Sequence, residues 1–97
     1  MLFRSAHIDD LAERSVQLGT PAQGTARQAV AASTLPEPPA SPNWLDWLIA
    51  QLTTHAANVR AAIDQTAALG DAGTSDLLTG IVRDLDKDLW FLDAHRA

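Results

Sequence analysis

The sequence predicts an all-α fold that forms the C-terminal portion of a four-helix bundle. Apolar residues recur at spacings of three and four over two long segments, which is the period of amphipathic helices. No segment alternates between apolar and polar with period two, so no β-strand is expected. A long connection rich in Gly, Pro, Ser and Thr precedes the two long helices. Its length exceeds that of a hairpin loop and indicates a crossover along the bundle.

Composition limits the classes of function. The chain has 97 residues, of which 46% are hydrophobic, with a net charge of −5 and no cysteine. This size allows one small domain, and the negative charge argues against attraction to nucleic acid or anionic lipid. The lack of cysteine excludes disulfides and thiolate metal sites and fits a reducing cytosol. With no apolar run near the ~20 residues of a membrane span, we expect a soluble, cytoplasmic protein without a membrane partner.

The first helix is predicted over residues 8–18, because apolar residues recur there with helical spacing and Gly19 ends the pattern. Residues 19–42 form the predicted crossover connection. Inside it, residues 25–32 are predicted as a short helix. Residues 35–39 carry three prolines and are expected to be extended.

The third helix is predicted to begin with Ser41 as its N-cap and Pro42 at its first position, to reach Leu69 and to end at Gly70. Its apolar stripe is spaced three and four apart, as expected for one buried face. The stripe comprises Leu45, Leu48, Ile49, Leu52, Ala56, Val59, Ile63 and Ala67.

The fourth helix is predicted to start between Asp71 and Thr74 and to reach the C-terminus. Its apolar residues alternate spacings of four and three, which is typical of a bundle seam. They are Leu78, Val82, Leu85, Leu89 and Leu92. Two long helices and a shorter one enclose a core incompletely, which is why we expect the chain to be part of a larger bundle.

Two carboxylates on the first helix are the candidate metal ligands. Asp9 and Glu13 are four residues apart, so on a helix both side chains leave the same face. Paired hard oxygen donors suit divalent iron, calcium or manganese. The alternative is that the two acids belong to a solvated helix face.

Four blocks of sequence follow one another in an order typical of one family. The first ends a helix, the second spans the connection, and the last two lie on the fourth helix. Together they resemble the Dps family, the starvation-induced, DNA-protecting miniferritins with a ferritin-like fold, over about residues 7–95. The blocks are Asp9-x-x-x-Glu13-Arg14 with Gln17-Leu18-Gly19; Gly24-Thr25 with Ser33 and Leu35-Pro36; Asp71-x-x-Thr74-x-Asp76-Leu77-Leu78-Thr79; and Arg83-Asp84-Leu85-Asp86-Lys87-x-Leu89-Trp90-Phe91-Leu92.

The resemblance implies an iron-oxidising, iron-storing subunit that protects the cell and its DNA from oxidative damage. Members of the family form hollow homo-oligomeric cages, bind ferrous iron at sites shared between two subunits and oxidise it, typically with hydrogen peroxide. Asp9 and Glu13 fall on the family's carboxylate iron ligands, so the resemblance makes them both metal-binding and catalytic. Asp71 and Asp76 fall where the family lines a pore with acids. For Asp71, a helix cap is the alternative.

The chain also departs from the family. The family's partner ligands, two histidines and a further aspartate, come from the first helix and the start of the second, and this sequence has no counterpart of them. We therefore expect residues 6–97 to be a partial domain, truncated at the N-terminus, with residues 1–5 as a non-native leader. Such a chain is expected to oxidise iron little on its own. DNA binding should be weak or absent, because no Lys- and Arg-rich tail is present.

Histidines and tryptophans offer further candidates. Trp90 is expected to pack either in the core or at a subunit contact. Trp44 and Trp47, three apart, predict either an end-plate of the core or an exposed contact patch. The three histidines are expected to be ordinary polar positions rather than ligands: His7, His55 and His95.

A rival function comes from another class of protein. The chain would be a non-catalytic helical oligomerisation or interaction module, in which the carboxylates only solvate a helix face. Ferrous iron separates the two hypotheses, because a cage subunit should bind it through Asp9 and Glu13 and a module should not.

Overall fold

The computed structural model describes residues 2–40 and 42–96, and over these ranges it contains four helices and no strand. The predicted all-α fold is therefore confirmed. The helices form two compact units, α1 and α2 within residues 1–36 and α3 and α4 within residues 37–97. None of the helices in the described ranges combines the length and apolar content needed to span a bilayer. The helices are α1 (Leu2–Gln17), α2 (Ala26–Ala32), α3 (Trp44–Ala68) and α4 (Ala72–Ala94).

Helix α1 begins earlier than predicted and ends as predicted. It starts at Leu2 rather than at residue 8, because neither glycine nor proline interrupts the helix before Gln17. At its end Gly19 has a φ of +94°, a left-handed conformation that glycine adopts without steric cost. The Thr20 N–H then donates to the Ser15 carbonyl at 3.0 Å, which satisfies a terminal carbonyl of the helix.

Helix α2 matches the predicted short helix and is stabilised at its N-terminus. The Thr25 hydroxyl oxygen accepts from the Gln28 N–H at 3.2 Å, and the Gln28 side-chain oxygen accepts from the Thr25 N–H at 2.8 Å. This reciprocal pair is a capping box. All seven residues of α2 are solvent-exposed within this chain. Residues 33–39 contain neither helix nor strand, consistent with the predicted extended segment.

The predicted start of the third helix is wrong. Ser41 lies outside the described residues, and Pro42 belongs to a turn rather than to the first helical position. Asn43 is the N-cap of α3, and the first helical hydrogen bond runs from the Trp47 N–H to the Asn43 carbonyl at 3.1 Å. The turn at Pro42 and Asn43 therefore delays the helix by two residues. At the other end α3 stops at Ala68, and Gly70 has a φ of +77°.

The core of the second unit is the seam between α3 and α4. Most of the predicted stripe residues are buried or half-buried, whereas Ala67, near the end of α3, is exposed. Ile81 was missed because it interrupts the four-three alternation, although it lies three residues after Leu78 and shares its face. The core comprises Leu52, Ala56 and Val59 of α3 and Leu78, Ile81, Val82 and Leu85 of α4.

Ion pairs also join the two long helices. Arg60 of α3 donates to Asp86 of α4, and Arg96 Nη1, just beyond α4, donates to Asp46 Oδ1 in the first turn of α3 at 3.1 Å. The side chains of both pairs are about half exposed. Each such pair contributes roughly 0–1 kcal/mol, so the apolar seam provides most of the stability of this helical pair.

Candidate metal centre

Asp9 and Glu13 lie on the same face of α1, as their spacing predicted. Both residues are solvent-exposed. Neither carboxylate makes a hydrogen bond or ion pair with any residue in the described part of the chain. The helix therefore presents two adjacent acids whose negative charges no described residue compensates.

An open hollow lies beside Glu13 and was not anticipated from the sequence. Gln17, four residues further along α1, lies on the same face as Glu13. The spacing rule that paired Asp9 with Glu13 could therefore have identified Gln17 as a neighbour of Glu13. The Gln17 side-chain oxygen accepts from Arg14 Nη1 at 3.1 Å. The hollow thus has a carboxylate and an amide at its polar edge and otherwise apolar walls. Its lining comprises Ala12, Glu13, Val16, Gln17 and Ala22.

The described residues supply no complete metal site. Among them, no group of three or more His, Asp or Glu side chains is close enough to hold one ion. Two carboxylates provide at most four oxygens, which leaves coordination positions of an iron ion for other groups. Asp9 and Glu13 thus form part of a metal site at most.

His7, the histidine in the same unit as the two acids, does not face them. His7 precedes Asp9 by two residues, about 200° around the helix and therefore on the opposite face. His55 and His95 belong to the other compact unit. His95 Nδ1 donates to the Phe91 carbonyl at 2.8 Å, which fixes its ring at the end of α4. That the histidines are ordinary polar positions stays a prediction.

Asp71 caps α4, which confirms the alternative given for it. Its Oδ1 accepts from the Thr74 N–H at 3.1 Å, and its Oδ2 accepts from the Thr74 hydroxyl at 2.6 Å. Asp76, one turn further along, is exposed and lines an open hollow with Ser75 and Thr79. The pore role of both acids stays a prediction.

The tryptophans separate into exposed and half-buried positions. Trp90 is 71% exposed, so it is not in the core of this chain, and the other predicted place, a subunit contact, stays a prediction. It follows the seam residue Leu89 by one position and is rotated about 100° away from the core. Trp44 is also exposed, whereas Trp47 is half-buried and its indole N–H, shielded from solvent, has no hydrogen-bond partner among the described residues. Trp44 and Trp47 therefore lie in different environments, and they form neither the predicted end-plate of the core nor the predicted exposed patch together.

Known proteins resemble this chain both in sequence and in fold. The model of the ferritin-like domain family matches residues 4–97. The chain is 41% identical over 93 residues to the DNA protection during starvation protein of Agrobacterium fabrum, a match that covers 92% of this chain and 57% of that protein. The crystal structure of Dps from Staphylococcus aureus superposes with a TM-score of 0.85 at 23% identity and covers 96% of this chain. The chain spans 64% of that structure, and at this identity the likeness shows the fold alone.

Proposed function

This chain belongs to the ferritin-like domain family, and on that premise we propose that it is a subunit of an iron-oxidising, iron-storing oligomer of the Dps type. Asp9 and Glu13 supply the carboxylate half of an iron site that is shared between two subunits. Ferrous iron is the substrate of this site, and the ferric product is what the oligomer stores. The similarity to the Agrobacterium fabrum starvation protein supports this assignment.

The observation that carries the proposal is the uncompensated pair of acids on α1. Like charges at positions i and i+4 of a helix destabilise it by roughly 0.2–0.5 kcal/mol. Asp9 and Glu13 have this spacing and are exposed, and no cation in the described residues pairs with either of them. A bound cation removes the repulsion, so the arrangement that costs stability in the isolated chain favours metal binding.

Carboxylates suit the chemistry because they bind both oxidation states of iron. As each ferrous ion loses one electron, its positive charge rises and its attraction to the Asp9 and Glu13 oxygens increases. The electrons go to the oxidant: two ferrous ions reduce one hydrogen peroxide molecule to two hydroxide ions. The contribution of the acids is to hold the iron and to favour its ferric state.

The remaining ligands come, in this proposal, from a second subunit. Asp9 and Glu13 leave coordination positions open, and the described residues bring no third ligand to them. The hollow beside Glu13 leaves room for a side chain that approaches over Ala12 and Val16. A site completed in this way depends on assembly, so iron affinity and oligomerisation should rise together.

Protection of DNA follows from removal of the damaging reactants rather than from binding to DNA. Ferrous iron and hydrogen peroxide together generate radicals, and the proposed reaction consumes both. A protein with a net charge of −5 can do this without contacting phosphates.

The proposal is tested by restoring the partner ligands. The chain is joined behind a first helix and the beginning of a second helix of the Dps type, and oxidation of ferrous iron by hydrogen peroxide is followed by absorbance. In this chimera Asp9→Ala and Glu13→Ala should each lower metal affinity or rate by roughly 10–100-fold, the scale for loss of a group that supports a metal site.

Asp10→Ala is the matched control. Asp10 is an exposed acid on the same helix but lies about 100° from Asp9, so its removal should leave the rate nearly unchanged. If the Asp9 and Glu13 variants oxidise iron as fast as the unmodified chimera, the ligand assignment fails and the interaction-module hypothesis replaces it.

A further inference from the structure

The side chain of Gln17 is held in one orientation at the polar edge of the hollow beside Glu13. Arg14 Nη1 donates to Gln17 Oε1 at 3.1 Å. A guanidinium group has donors and no acceptor, so the Gln17 atom that faces Arg14 must be the carboxamide oxygen. Gln17 Nε2 is therefore the end of the amide that is directed away from Arg14.

The two N–H groups of Gln17 Nε2 have no acceptor in the described part of the chain. The side chains that form the walls of the hollow are apolar and offer none: Ala12, Val16 and Ala22. Glu13, one turn before Gln17 on α1, supplies the other polar group of the lining. The hollow therefore presents one carboxylate and one unused pair of hydrogen-bond donors.

These two groups are suited to different parts of one reaction. A carboxylate accepts hydrogen bonds and binds cations, whereas an amide N–H donates to an oxygen atom that carries or gains negative charge. Residues four apart on a helix have Cβ atoms about 5–6 Å apart. This separation leaves space for a small molecule between an iron ion at Glu13 and the amide of Gln17. Hydrogen peroxide, with two oxygen atoms, has the required size and acceptors.

We propose that Gln17 Nε2 donates to hydrogen peroxide and stabilises the hydroxide ions that form as the peroxide is reduced. The inference rests on the proposed function, because it requires ferrous iron beside Glu13. Two ferrous ions each give one electron, the O–O bond breaks, and each oxygen leaves as hydroxide with the proton it already carried. Negative charge grows on both oxygens in this step, so a fixed donor interacts more strongly with the products than with the neutral peroxide.

Arg14 contributes to this arrangement by positioning the amide. It is half-buried, whereas Gln17 is exposed, so the more enclosed side chain holds the more exposed one. A carboxamide without such a partner turns either its nitrogen or its oxygen towards the peroxide, and the oxygen repels the forming hydroxide. A donor that is already oriented needs no reorganisation during the reaction. Exclusion of water by the second subunit of the proposed site strengthens the hydrogen bond further.

Two substitutions at Gln17 in the Dps-type chimera separate a donor from a purely structural side chain. Gln17→Glu keeps the oxygen that accepts from Arg14 and replaces the N–H donors by a second oxygen, whereas Gln17→Leu removes both. The rate of iron oxidation by hydrogen peroxide should fall roughly tenfold or more in Gln17→Leu. It should fall at least as far in Gln17→Glu, because its negative charge faces the forming hydroxide. A structural role would instead be retained by Gln17→Glu.

Anaerobic binding of ferrous iron, measured by isothermal titration calorimetry, is the second readout. Gln17→Leu should bind iron within about threefold of the unmodified chimera, as expected when only a transition-state interaction is lost. Asp9→Ala and Glu13→Ala should lower both binding and rate. Gln65→Leu, the same change at an exposed glutamine of α3, is the control and should alter neither.

The two readouts distinguish failure of this inference from failure of the proposed function. If the Asp9 and Glu13 variants bind and oxidise iron normally, the proposed function fails and the inference fails with it. If those two variants lose iron binding but either Gln17 variant oxidises iron as fast as the unmodified chimera, only the inference is overturned. A loss of iron binding in Gln17→Leu as large as its loss of rate would also overturn it.

Discussion

The Asp71 carboxylate accepts two hydrogen bonds from Thr74, one from the backbone N–H at 3.1 Å and one from the hydroxyl at 2.6 Å. The first satisfies an N–H group at the start of α4 that has no partner within the helix. The negative charge also lies at the positive end of the helix dipole. The geometry of Asp71 is therefore explained by the start of α4, independently of any role in a pore.

Removing this cap should destabilise the chain by a modest amount. Asp71→Ala should lower the free energy of unfolding by about 1 kcal/mol, because the start of α4 loses its side-chain acceptor. Asp71→Asn keeps an acceptor oxygen and should cost only a few tenths of that value. Chemical denaturation followed by circular dichroism measures both, and an Asn variant as unstable as the Ala variant would show that the charge, rather than the hydrogen bond, matters.

The seam between α3 and α4 should be far more sensitive. Leu85 is 2% exposed, and its replacement by alanine should cost about 2–5 kcal/mol through lost burial and an unfilled cavity. Leu69→Ala is the control, because Leu69 is 82% exposed and should change stability by less than about 0.5 kcal/mol. Comparable losses for the two variants would contradict the assignment of the core to this seam.

Folding should be coupled to association. Large apolar side chains are exposed in both compact units, among them Ile8, Val16 and Trp90, and burying them between copies stabilises the folded state. We expect a helical circular dichroism spectrum whose thermal midpoint rises with protein concentration. A sharply melting monomer whose midpoint is independent of concentration would contradict this expectation.

The parts of the fold that were predicted correctly from the sequence depend on signals between residues close together in the chain. Gly19, Gly70 and the capping box at Thr25 act within a few residues, and the helix ends that they set were predicted closely. The start of α3 was misplaced by two residues, because Ser41-Pro42 is a strong local start signal whereas the N-cap is Asn43, which makes no side-chain cap hydrogen bond that a sequence pattern would reveal.

Features that depend on distant parts of the chain were not predicted. The Arg60–Asp86 pair joins residues 26 positions apart, which no spacing rule connects. Spacing also placed Asp9 and Glu13 on one face. It carries no information on a third ligand, because in the proposed site the remaining ligands belong to another chain.

Binding to DNA should be weak. The net charge is −5 and only seven Lys and Arg residues are present, of which Arg60 and Arg96 already pair with acids. Few cations therefore remain to displace counterions from phosphates. Fluorescence anisotropy with a labelled duplex at about 0.15 M salt should show no saturable binding at micromolar protein, and saturable micromolar binding under these conditions would contradict the prediction.

Anomalous diffraction can locate iron bound to Asp9 and Glu13. Crystals of the chimera with a Dps-type first helix are soaked anaerobically in ferrous iron, and data are collected at the iron absorption edge. We expect an anomalous peak roughly 2.0–2.3 Å from a carboxylate oxygen of each acid, the range for metal–oxygen bonds, and no such peak in the Asp9→Ala variant. Iron peaks elsewhere in the crystal, with none beside these two side chains, would contradict it.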